Sequence, residues 1–395
     1  MDLSDVVVLG GARTPFGKFG GGLVGFASWE LGGFILPKAL EKVGISRDLV
    51  DMVLMGHNRQ SGSNPARVAC ILAGLEHVPA VSLNSACSVG AVATIFASRA
   101  IRCGDAEVVV VGGMDSMSNI PHVLKGTRWQ GTGYGNLTVM DGWYDVGDIP
   151  DLDAGIHPSE FIAKRYGLTR RDLDEFALDS HQKAARAWDN GWYDDEVVPV
   201  PIPANGQQPA SVCAIDEHFR RGTSVEQMMK VPPAFLHDGT GVTSATNSSG
   251  IVDGACAIVL ASRRKALELG IKPRSSLVSW AITAEPHLEM FEGPAVAIPV
   301  ALQRAGMTLD DMDFIEVNEA FGSQIVSNER RLKWDHAKLN PGGGAIAIGH
   351  PTSTSGSRLV LTMTGHLQRQ DKEYGVIAIC GGGAVTGSLV LKRES

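Results

Sequence analysis

An internal repeat is the feature that most constrains the fold of this 395-residue chain. Residues 37–51, PKALEKVGISRDLVD, align without a gap on residues 299–313, PVALQRAGMTLDDMD. Each copy is followed by a short apolar run, a glycine-rich turn that opens a helical stretch, and a further apolar run ending in glycines. Such self-similarity indicates that one supersecondary unit has been duplicated. We therefore predict two copies of one unit.

The unit has the pattern of an α/β fold. Short β-branched runs bounded by glycines alternate with helix-length amphipathic segments. The runs are apolar throughout, which is typical of strands in sheets covered on both faces. These predicted strands are residues 6–9, 53–55, 108–111, 314–317 and 376–379.

The segment between the two copies, roughly residues 118–249, differs in composition. Gly, Asp, Trp and Pro are frequent there, and one clear helical pattern covers residues 172–189. Long irregular stretches in a compact protein are usually functional. We expect an inserted domain made largely of loops at 119–249, an N-terminal half at 1–118 and 250–270, and a C-terminal half at 271–395.

Composition and charge exclude several classes of protein. With 44% hydrophobic and 20% charged residues, the chain can bury a large core. The net charge is -8, with both signs mixed, so no basic stripe is present to bind nucleic acid. No apolar stretch approaches the ~20 residues of a membrane span, and no secretory signal pattern precedes the first strand. The six cysteines are scattered without a CxxC pair, which favours reduced thiols. We expect a cytoplasmic protein that binds neither nucleic acid nor membrane.

Cys87 is the first candidate for chemistry. It lies at a predicted strand-to-helix turn, residues 84–90, NSACSVG. A thiol at a helix N-terminus is near the positive end of the dipole and near unpaired N–H groups, so a thiolate or an oxyanion is favoured there. The motif alone fits a nucleophile and a small core cysteine equally well.

Three further residues stand at comparable positions. Cys380 closes a strand and enters three glycines, His350 lies between glycine and proline at the other predicted helix opening, and Asn318 follows a strand. Each one singly also fits a structural role, as a buried cysteine, a structural histidine or a helix cap. Open α/β sheets place ligands at such strand ends. The coincidence of all four groups at glycine-rich strand ends predicts an active site.

At this point the sequence resembles the thiolase family over nearly its whole length. The resemblance is carried by several separate motifs, which together are highly specific. They are GGARTPFGKF at 10–19, NPAR at 64–67, NSACSVG at 84–90, GGMDSMS at 112–118, DEHFR at 216–220, PAF at 233–235, NEAF at 318–321, GHP at 349–351 and CGGG at 380–383.

The resemblance implies a duplicated thiolase fold, a five-layer αβαβα sandwich with an inserted loop domain, and cleavage or formation of a 3-oxoacyl-CoA. Cys87 would carry the acyl group as a thioester, with His350 assisting its ionisation. Cys380 would exchange a proton with the α-carbon of the acyl-CoA. Asn318, through a bound water, and His350 would hold the enolate-like oxygen, while the N–H groups of Cys87 and Gly382 would hold the oxyanion of acyl transfer.

The resemblance also implies how coenzyme A binds. Arg220, Phe235 and Ser249 match positions that contact CoA in relatives, and Phe321 would line the same tunnel. CoA is then a substrate, and no metal or permanently bound cofactor is needed. Members of the family pair across a two-fold axis, which implies a homodimer or a dimer of dimers. Some divergent members work with a small zinc-containing OB-fold partner.

The chain departs from the family pattern at three places. Ser88-Val89-Gly90 replaces Gly-Ser-Gly, residues 350–356 read HPTSTSG in place of HPLGASG, and Ala154-Gly155 corresponds to a His-Met pair of the acyl pocket. We expect an enlarged or more polar pocket for a branched, aromatic or carboxylated acyl group, such as benzoylsuccinyl-CoA.

Other functions are compatible with parts of the pattern. An acetoacetyl-CoA thiolase would use the same catalytic residues. A ketoacyl synthase shares the fold but normally uses two histidines, and Cys380 and Asn318 occupy the positions that separate the two classes. A non-catalytic CoA-binding or scaffolding subunit would have lost one or more of the four reactive groups, all of which are present.

Overall fold

The computed structural model describes residues 5–60, 62–143, 156–206 and 209–395. Ala154 and Gly155, predicted to line the acyl pocket, lie outside the described residues. The strands are β1 Val6–Arg13, β2 Gly17–Lys18, β3 Met52–Gly56, β4 Ala80–Leu83, β5 Val108–Asp115, β6 His122–Val123, β7 Met140–Asp141, β8 Val200–Ile202, β9 Ser211–Cys213, β10 Val252–Ser262, β11 Ser275–Ala284, β12 Phe314–Val317, β13 Tyr374–Gly381 and β14 Val385–Arg393.

The helices alternate with these strands in the order expected of an α/β chain. They are α1 Ser28–Val43, α2 Pro65–Leu72, α3 Val89–Cys103, α4 Thr127–Gln130, α5 Pro158–Arg165, α6 Arg170–Asp189, α7 Val225–Met228, α8 Arg263–Glu268, α9 Gly293–Ala305, α10 Gly322–Leu332, α11 Ala345–Ile348 and α12 Ser355–Arg369. Short 3-10 helices lie at Arg47–Leu49, Met117–Asn119, His287–Glu292, Leu309–Asp311 and His336–Lys338.

One ten-stranded sheet runs through both halves of the chain. Its order is β12-β13-β14-β11-β1-β10-β5-β3-β4, with β2 paired to β10. Within each half a pair of parallel strands lies next to antiparallel ones, β3 beside β5 in the first and β12 beside β13 in the second. The two halves meet where Val7 pairs with Ser276 and Val8 with Ser275. The predicted α/β fold is confirmed.

The sequence repeat is also a repeat of structure. Helix α1 ends at Gly44 with φ 73°, and α9 ends at Gly306 with φ 68°. Asp51 then accepts the backbone N–H groups of residues 107 and 108 at 2.7 and 2.9 Å. Asp313 accepts those of residues 373 and 374 at 2.8 and 3.0 Å. Asp51 and Asp313, the last residues of the two copies, therefore fix the starts of the parallel strands β5 and β13. The predicted duplication is confirmed.

The apolar strands are covered on both faces, as predicted. In β5, Val108 and Val110 face the layer formed by α1 and α2, whereas Val109 and Val111 face α3 and α12. On the far side, α9 and α10 cover the second half of the sheet. The layers therefore alternate as α, β, α, β, α.

Helices α3 and α12 cross at the centre of the molecule. A Cβ atom on Gly90 would lie 2.5 Å from the backbone N of Ser357, and one on Gly356 would lie 2.3 Å from that of Ala91. Because the two backbones touch, glycine is required at both positions. This crossing holds together the two turns that carry the candidate chemistry.

Within the described part of the chain, one helical segment, Ala86–Cys103, is long and apolar enough to cross a membrane by length and composition. No such stretch is expected from the sequence. The structure buries 61% of this segment, and its helix α3 lies in the central layer. The segment has the character of a core helix.

The inserted segment is more regular than predicted. It contains α5 and the 20-residue α6, whose first turn is closed by reciprocal hydrogen bonds between Thr169 and Asp172. Its other described elements are the short helices α4 and α7 and the two-stranded ladders β6–β7 and β8–β9. The Pro- and Gly-rich composition hid these short elements, because each has too few residues to establish a period.

Candidate active site

Cys87 lies in a tight turn between β4 and α3. Ala86 has φ 50°, a left-handed conformation that is rare and strained for a residue other than glycine. Its N–H donates to Asn84 Oδ1 at 2.9 Å, and the Ser88 hydroxyl donates to the Ser85 carbonyl at 2.8 Å. These bonds hold the turn so that Cys87 precedes the first helical residue, Val89, by two positions.

The surroundings of Cys87 have opposing effects on the ionisation of its thiol. Burial raises the pKa of the thiol to about 11. The Arg59 guanidinium and hydrogen bonds from the backbone N–H groups of Gly382 and of Cys87 itself act in the opposite direction and lower this pKa. The two N–H groups expected to hold an oxyanion therefore already act on the Cys87 sulfur.

His350 is buried, with one ring nitrogen fixed by a serine. Its Nδ1 is 2.7 Å from Ser355 Oγ, and that hydroxyl donates to the Pro351 carbonyl at 3.0 Å. The hydroxyl must therefore accept the Nδ1 proton, and Nε2 keeps a free lone pair. Burial, followed by the Arg358 charge, lowers the pKa of His350 to about 3. The imidazole is neutral, with its basic nitrogen available to take a proton.

Asn318 ends β12 beside that nitrogen. Its Nδ2 is 3.5 Å from His350 Nε2, and its backbone carbonyl accepts a hydrogen bond from Gln324 Nε2 at 2.9 Å. Asn318 Oδ1 is buried and has no hydrogen-bond partner among the described residues. A buried acceptor of this kind is costly unless a water or a ligand satisfies it.

Cys380 brings the second half of the fold to the same place. It is 2% exposed near the end of β13, and its pKa is raised by burial and by the nearby Cys87. The glycine turn that follows packs on the Cys87 turn, since a Cβ atom on Gly381 would lie 2.7 Å from the Ser85 carbonyl oxygen. The structure therefore brings Cys87, Cys380 and Gly382 together, as it does Asn318 and His350.

Three of the four predicted CoA contacts cluster beside Asn318. Phe321 is three residues beyond it, with its ring 6.2 Å from that of Phe235, and the Ser249 N–H donates to the Ala320 carbonyl at 3.0 Å. Arg220 lies instead along a surface cavity of about 310 Å³, lined also by Arg221, Thr223, Gln227, Met228 and Thr246. This cavity is open to solvent and offers two cationic side chains.

The hydroxyl residues that follow His350 differ from the sequence-based expectation. Thr352 donates to Asn58 Oδ1 at 2.8 Å, and Thr354 donates to the carboxylate of Asp115 at 2.8 Å. The serine between them donates to the backbone carbonyl of residue 114 at 3.1 Å. These hydroxyls satisfy buried protein groups, so they do not make a substrate pocket more polar, and that part of the expectation is wrong.

Two histidines beside the site were missed in the sequence. His157 caps α5 and stacks on Phe235, with ring centroids 3.7 Å apart and an interplanar angle of 6°. His287 begins the 3-10 helix that follows β11, and its proximity contributes to lowering the pKa of His157. Each of these histidines adjoins a proline in the sequence, but this pattern does not distinguish a helix-capping residue from a ligand-binding one.

The chain matches two models of one protein family along its length. Residues 6–264 match the thiolase N-terminal domain, and residues 271–393 match the thiolase C-terminal domain. An acetyl-CoA acetyltransferase of Cupriavidus necator is 40% identical over 99% of this chain and 100% of its own length. One of Pseudomonas aeruginosa is 39% identical over 99% and 100%.

Solved structures agree with these matches. The human mitochondrial 3-ketoacyl-CoA thiolase superposes with a TM-score of 0.93 at 33% identity, covering 100% of both chains. An acetyl-CoA acetyltransferase of Syntrophomonas wolfei gives a TM-score of 0.93 at 36% identity, covering 99% of both chains.

Proposed function

The chain belongs to the thiolase family, and on that premise we propose that it cleaves or forms a 3-oxoacyl-CoA through an acyl-thioester on Cys87. The observation that carries the proposal is the contact between the two glycine-containing turns, which places Cys87 beside Cys380. The family and its named relatives make the protein an acyltransferase. In the direction of thiolysis the reaction has two steps.

In the first step His350 Nε2 takes the proton of the Cys87 thiol, and the thiolate attacks the 3-oxo carbon. The N–H groups of Cys87 and Gly382 hold the oxyanion that forms. When the carbon–carbon bond breaks, Cys380 donates its proton to the α-carbon of the leaving acyl-CoA, which is acetyl-CoA when the substrate has no α-substituent. The product of this step is an acyl-thioester on Cys87.

The leaving acyl-CoA passes through an enolate-like state, and its thioester oxygen must be stabilised. Asn318 serves this purpose through a water bound at its unpaired Oδ1, together with the protonated His350. In the second step the CoA thiol gives its proton to the Cys380 thiolate and attacks the thioester, and the departing Cys87 takes back its proton from His350. The shortened acyl-CoA is released, and Cys87, Cys380 and His350 return to their starting states. Condensation uses the same groups in the reverse order.

Coenzyme A enters as a substrate. Its pantetheine arm runs past Phe235, Phe321 and Ser249, and its phosphates reach Arg220 in the cavity that this residue shares with Arg221. Phosphate recognition by guanidinium groups supports this direction. We propose that CoA is a substrate, and we propose no permanently bound cofactor.

Two candidates are supported for the acyl group of the substrate. A bulky, aromatic or carboxylated acyl group, such as that of benzoylsuccinyl-CoA, is supported by the rings of Phe291 and Phe321 in the apolar cluster around Cys380. Acetoacetyl-CoA is supported by the names of the relatives, which are acetyl-CoA acetyltransferases.

We further propose that two copies of the chain associate. Among the described strands β4 ends the sheet, so its outer edge offers N–H and C=O groups to a second strand. Next to it, Val81, Ile71 and Leu72 are 44%, 46% and 57% exposed. A small zinc-containing OB-fold partner and a cytoplasmic location remain predictions from the sequence.

Steady-state thiolysis tests the proposed function and its substrate. The kcat/KM for CoA-dependent cleavage would be measured with acetoacetyl-CoA and with aromatic and carboxylated 3-oxoacyl-CoAs, with Cys87→Ser as the inactive control. A preference for the bulkier substrates supports the first candidate, and a strong preference for acetoacetyl-CoA supports the second. Absence of CoA-dependent cleavage of every substrate contradicts the thiolase function.

A further inference from the structure

Aromatic side chains connect Cys380 with His157, a histidine that the thiolase mechanism does not use. A second such histidine, His287, begins the 3-10 helix that contains Phe291. Phe291 belongs to the apolar cluster of Cys380, and Phe321 packs on that cluster. The ring of His157 is 5.2 Å from Phe321 and 6.3 Å from Phe291. The imidazole of His157 therefore borders the apolar cluster around Cys380, the residue proposed to exchange a proton with the α-carbon.

The hydrogen bonds of His157 fix which nitrogen carries its proton. Nδ1 accepts the N–H of Ser159 at 3.2 Å, and it lies 2.7 Å from the Ser159 hydroxyl. That hydroxyl accepts a hydrogen bond from Thr243 at 3.0 Å, so its own proton is directed at Nδ1. The ring proton of the neutral imidazole is consequently on Nε2, the nitrogen away from the helix cap.

His287 contributes a second imidazole, and its nitrogens have no protein partner. Both Nδ1 and Nε2 are buried without a hydrogen bond to any residue that the structure describes. Leaving buried polar groups unpaired is costly. A ligand or water that pairs with these nitrogens would remove that cost.

The backbone places His287 on the side of the reacting carbons. It follows the end of β11, where Ala284 pairs with Val385, and the Glu285 N–H donates to the Ala384 carbonyl at 3.1 Å. Ala384 closes the turn that carries Gly382. His287 thus lies two residues beyond a backbone hydrogen bond to the turn that carries Gly382.

We propose that His157 and His287 determine acyl specificity by binding a carboxylate on the acyl group of a 3-oxoacyl-CoA, an inference that rests on the proposed thiolase function. Each imidazole can offer an N–H, and a carboxylate has two oxygens to accept them. The aromatic walls keep water from competing for these hydrogen bonds.

The acidic side chains of the same helix do not oppose an anion there. Glu292 is 2.9 Å from Arg165 and also pairs with Arg331, and Glu289 is 3.0 Å from Arg165. Their charges are compensated by these arginines. Burial, followed by His287, lowers the pKa of His157 to about 4, and a carboxylate between the rings would raise it again.

The experiment compares two substrates that differ at the end of the acyl chain. 3-Oxoadipyl-CoA ends in a carboxylate, and 3-oxohexanoyl-CoA has the same chain length and ends in a methyl group. The ratio of their kcat/KM values would be measured for the full-length wild type, His157→Phe, His287→Leu and His287→Gln. His77→Leu, at a half-exposed surface histidine, is the matched control.

We expect the wild type to favour the carboxylated substrate by about tenfold or more, as charge-assisted hydrogen bonds should. His287→Leu and His157→Phe should each lower the ratio about tenfold, His287→Gln should restore part of it, and His77→Leu should leave it unchanged. A wild type without preference, or variants that lose both substrates equally, would overturn the inference, because the imidazoles would then serve the pantetheine arm or packing.

Acylation of Cys87 by acetoacetyl-CoA, measured in the same wild-type preparation, separates the two ways of failing. If Cys87 is acylated and the ratio does not depend on the histidines, this inference alone is wrong. If Cys87 is not acylated by any of the substrates, the proposed function and this inference both fail.

Discussion

Ser355 Oγ lies 2.7 Å from Nδ1 of His350, and this contact determines which nitrogen of the imidazole can act as a base. The serine hydroxyl is itself oriented by the Pro351 carbonyl, so it accepts the Nδ1 proton. Nε2 is thereby left unprotonated and directed towards Asn318. The four reactive groups depend on this fifth residue, which touches no substrate in the proposed mechanism.

Ser355→Ala should lower kcat for thiolysis by about tenfold to a hundredfold, because the ring loses the acceptor that fixes its tautomer and orientation. Ser357→Ala is the matched control, since Ser357 is on the same helix and donates to the Thr354 carbonyl at 2.8 Å. If Ser355 positions His350, Ser355→Ala should change the pH profile of kcat, and Ser357→Ala should not change it. Equal losses in both would show that helix packing is responsible.

Arg59→Met should raise the pKa of Cys87, because the Arg59 charge favours the thiolate. Only the thiolate reacts with iodoacetamide, so at any pH below the pKa of Cys87 the labelling rate should fall, and the rate profile should move to higher pH. Arg67→Met is the control, since Arg67 acts on the pKa of Cys70. An unchanged profile for Arg59→Met would show that the Arg59 charge does not act on Cys87.

Gly356→Ala should destabilise the protein by about 3 kcal/mol or prevent folding, because the added methyl would lie 2.3 Å from the backbone of Ala91. Gly365→Ala on the same helix meets only the end of Arg369, 3.7 Å away, and should stabilise by about 0.5–1 kcal/mol. Thermal unfolding of both variants at equal concentration checks this. A similar Tm for the two would contradict the close crossing of α3 and α12.

Glu316 should make stability depend on pH. Burial raises the pKa of this carboxyl to about 8, despite Arg358, from an ordinary value of 4.5. Between these values the folded state binds a proton that the unfolded state releases, so the free energy of unfolding should fall as pH rises from about 5 to 8.

Glu316→Gln cannot ionise and should lose less stability over that range, by on the order of 2 kcal/mol or more. Urea unfolding of both proteins at pH 5 and pH 8, at one protein concentration, measures the difference. Parallel losses in the two proteins would mean that Glu316 is ionised in the folded state or that other groups dominate.

The sequence predicted elements best where one short pattern determines one element. The predicted strand at 314–317 has the bounds of β12. The strand predicted at 108–111 continues to Asp115, because Gly112 and Gly113 remain paired with β10 although glycine is a poor strand former. Tertiary pairing there overrides the local preference.

The candidate site was predicted to the extent that its residues stand at strand ends. Cys87, Asn318 and Cys380 could be found because topology gathers strand ends at one edge. His350 was also expected at a strand end, but it follows the short helix α11. His157 and His287 could not be found, since one reads as a helix cap and the other as a loop residue. Their proximity depends on the packing of α5 against the segment after β11, which no sequence period encodes.

The central claim is that Cys87, and not Cys380, carries the acyl group. The protein would be incubated with acetoacetyl-CoA in the absence of free CoA, quenched in acid, digested and analysed by mass spectrometry, together with Cys87→Ser and Cys380→Ser. We predict an acetyl group on Cys87 in the wild type and none in Cys87→Ser. Cys380→Ser, incubated with acetyl-CoA in place of acetoacetyl-CoA, should still be labelled at Cys87, because transfer of the acetyl group from acetyl-CoA requires no proton transfer at carbon. An acetyl group on Cys380, or labelling that persists in Cys87→Ser, would contradict the account.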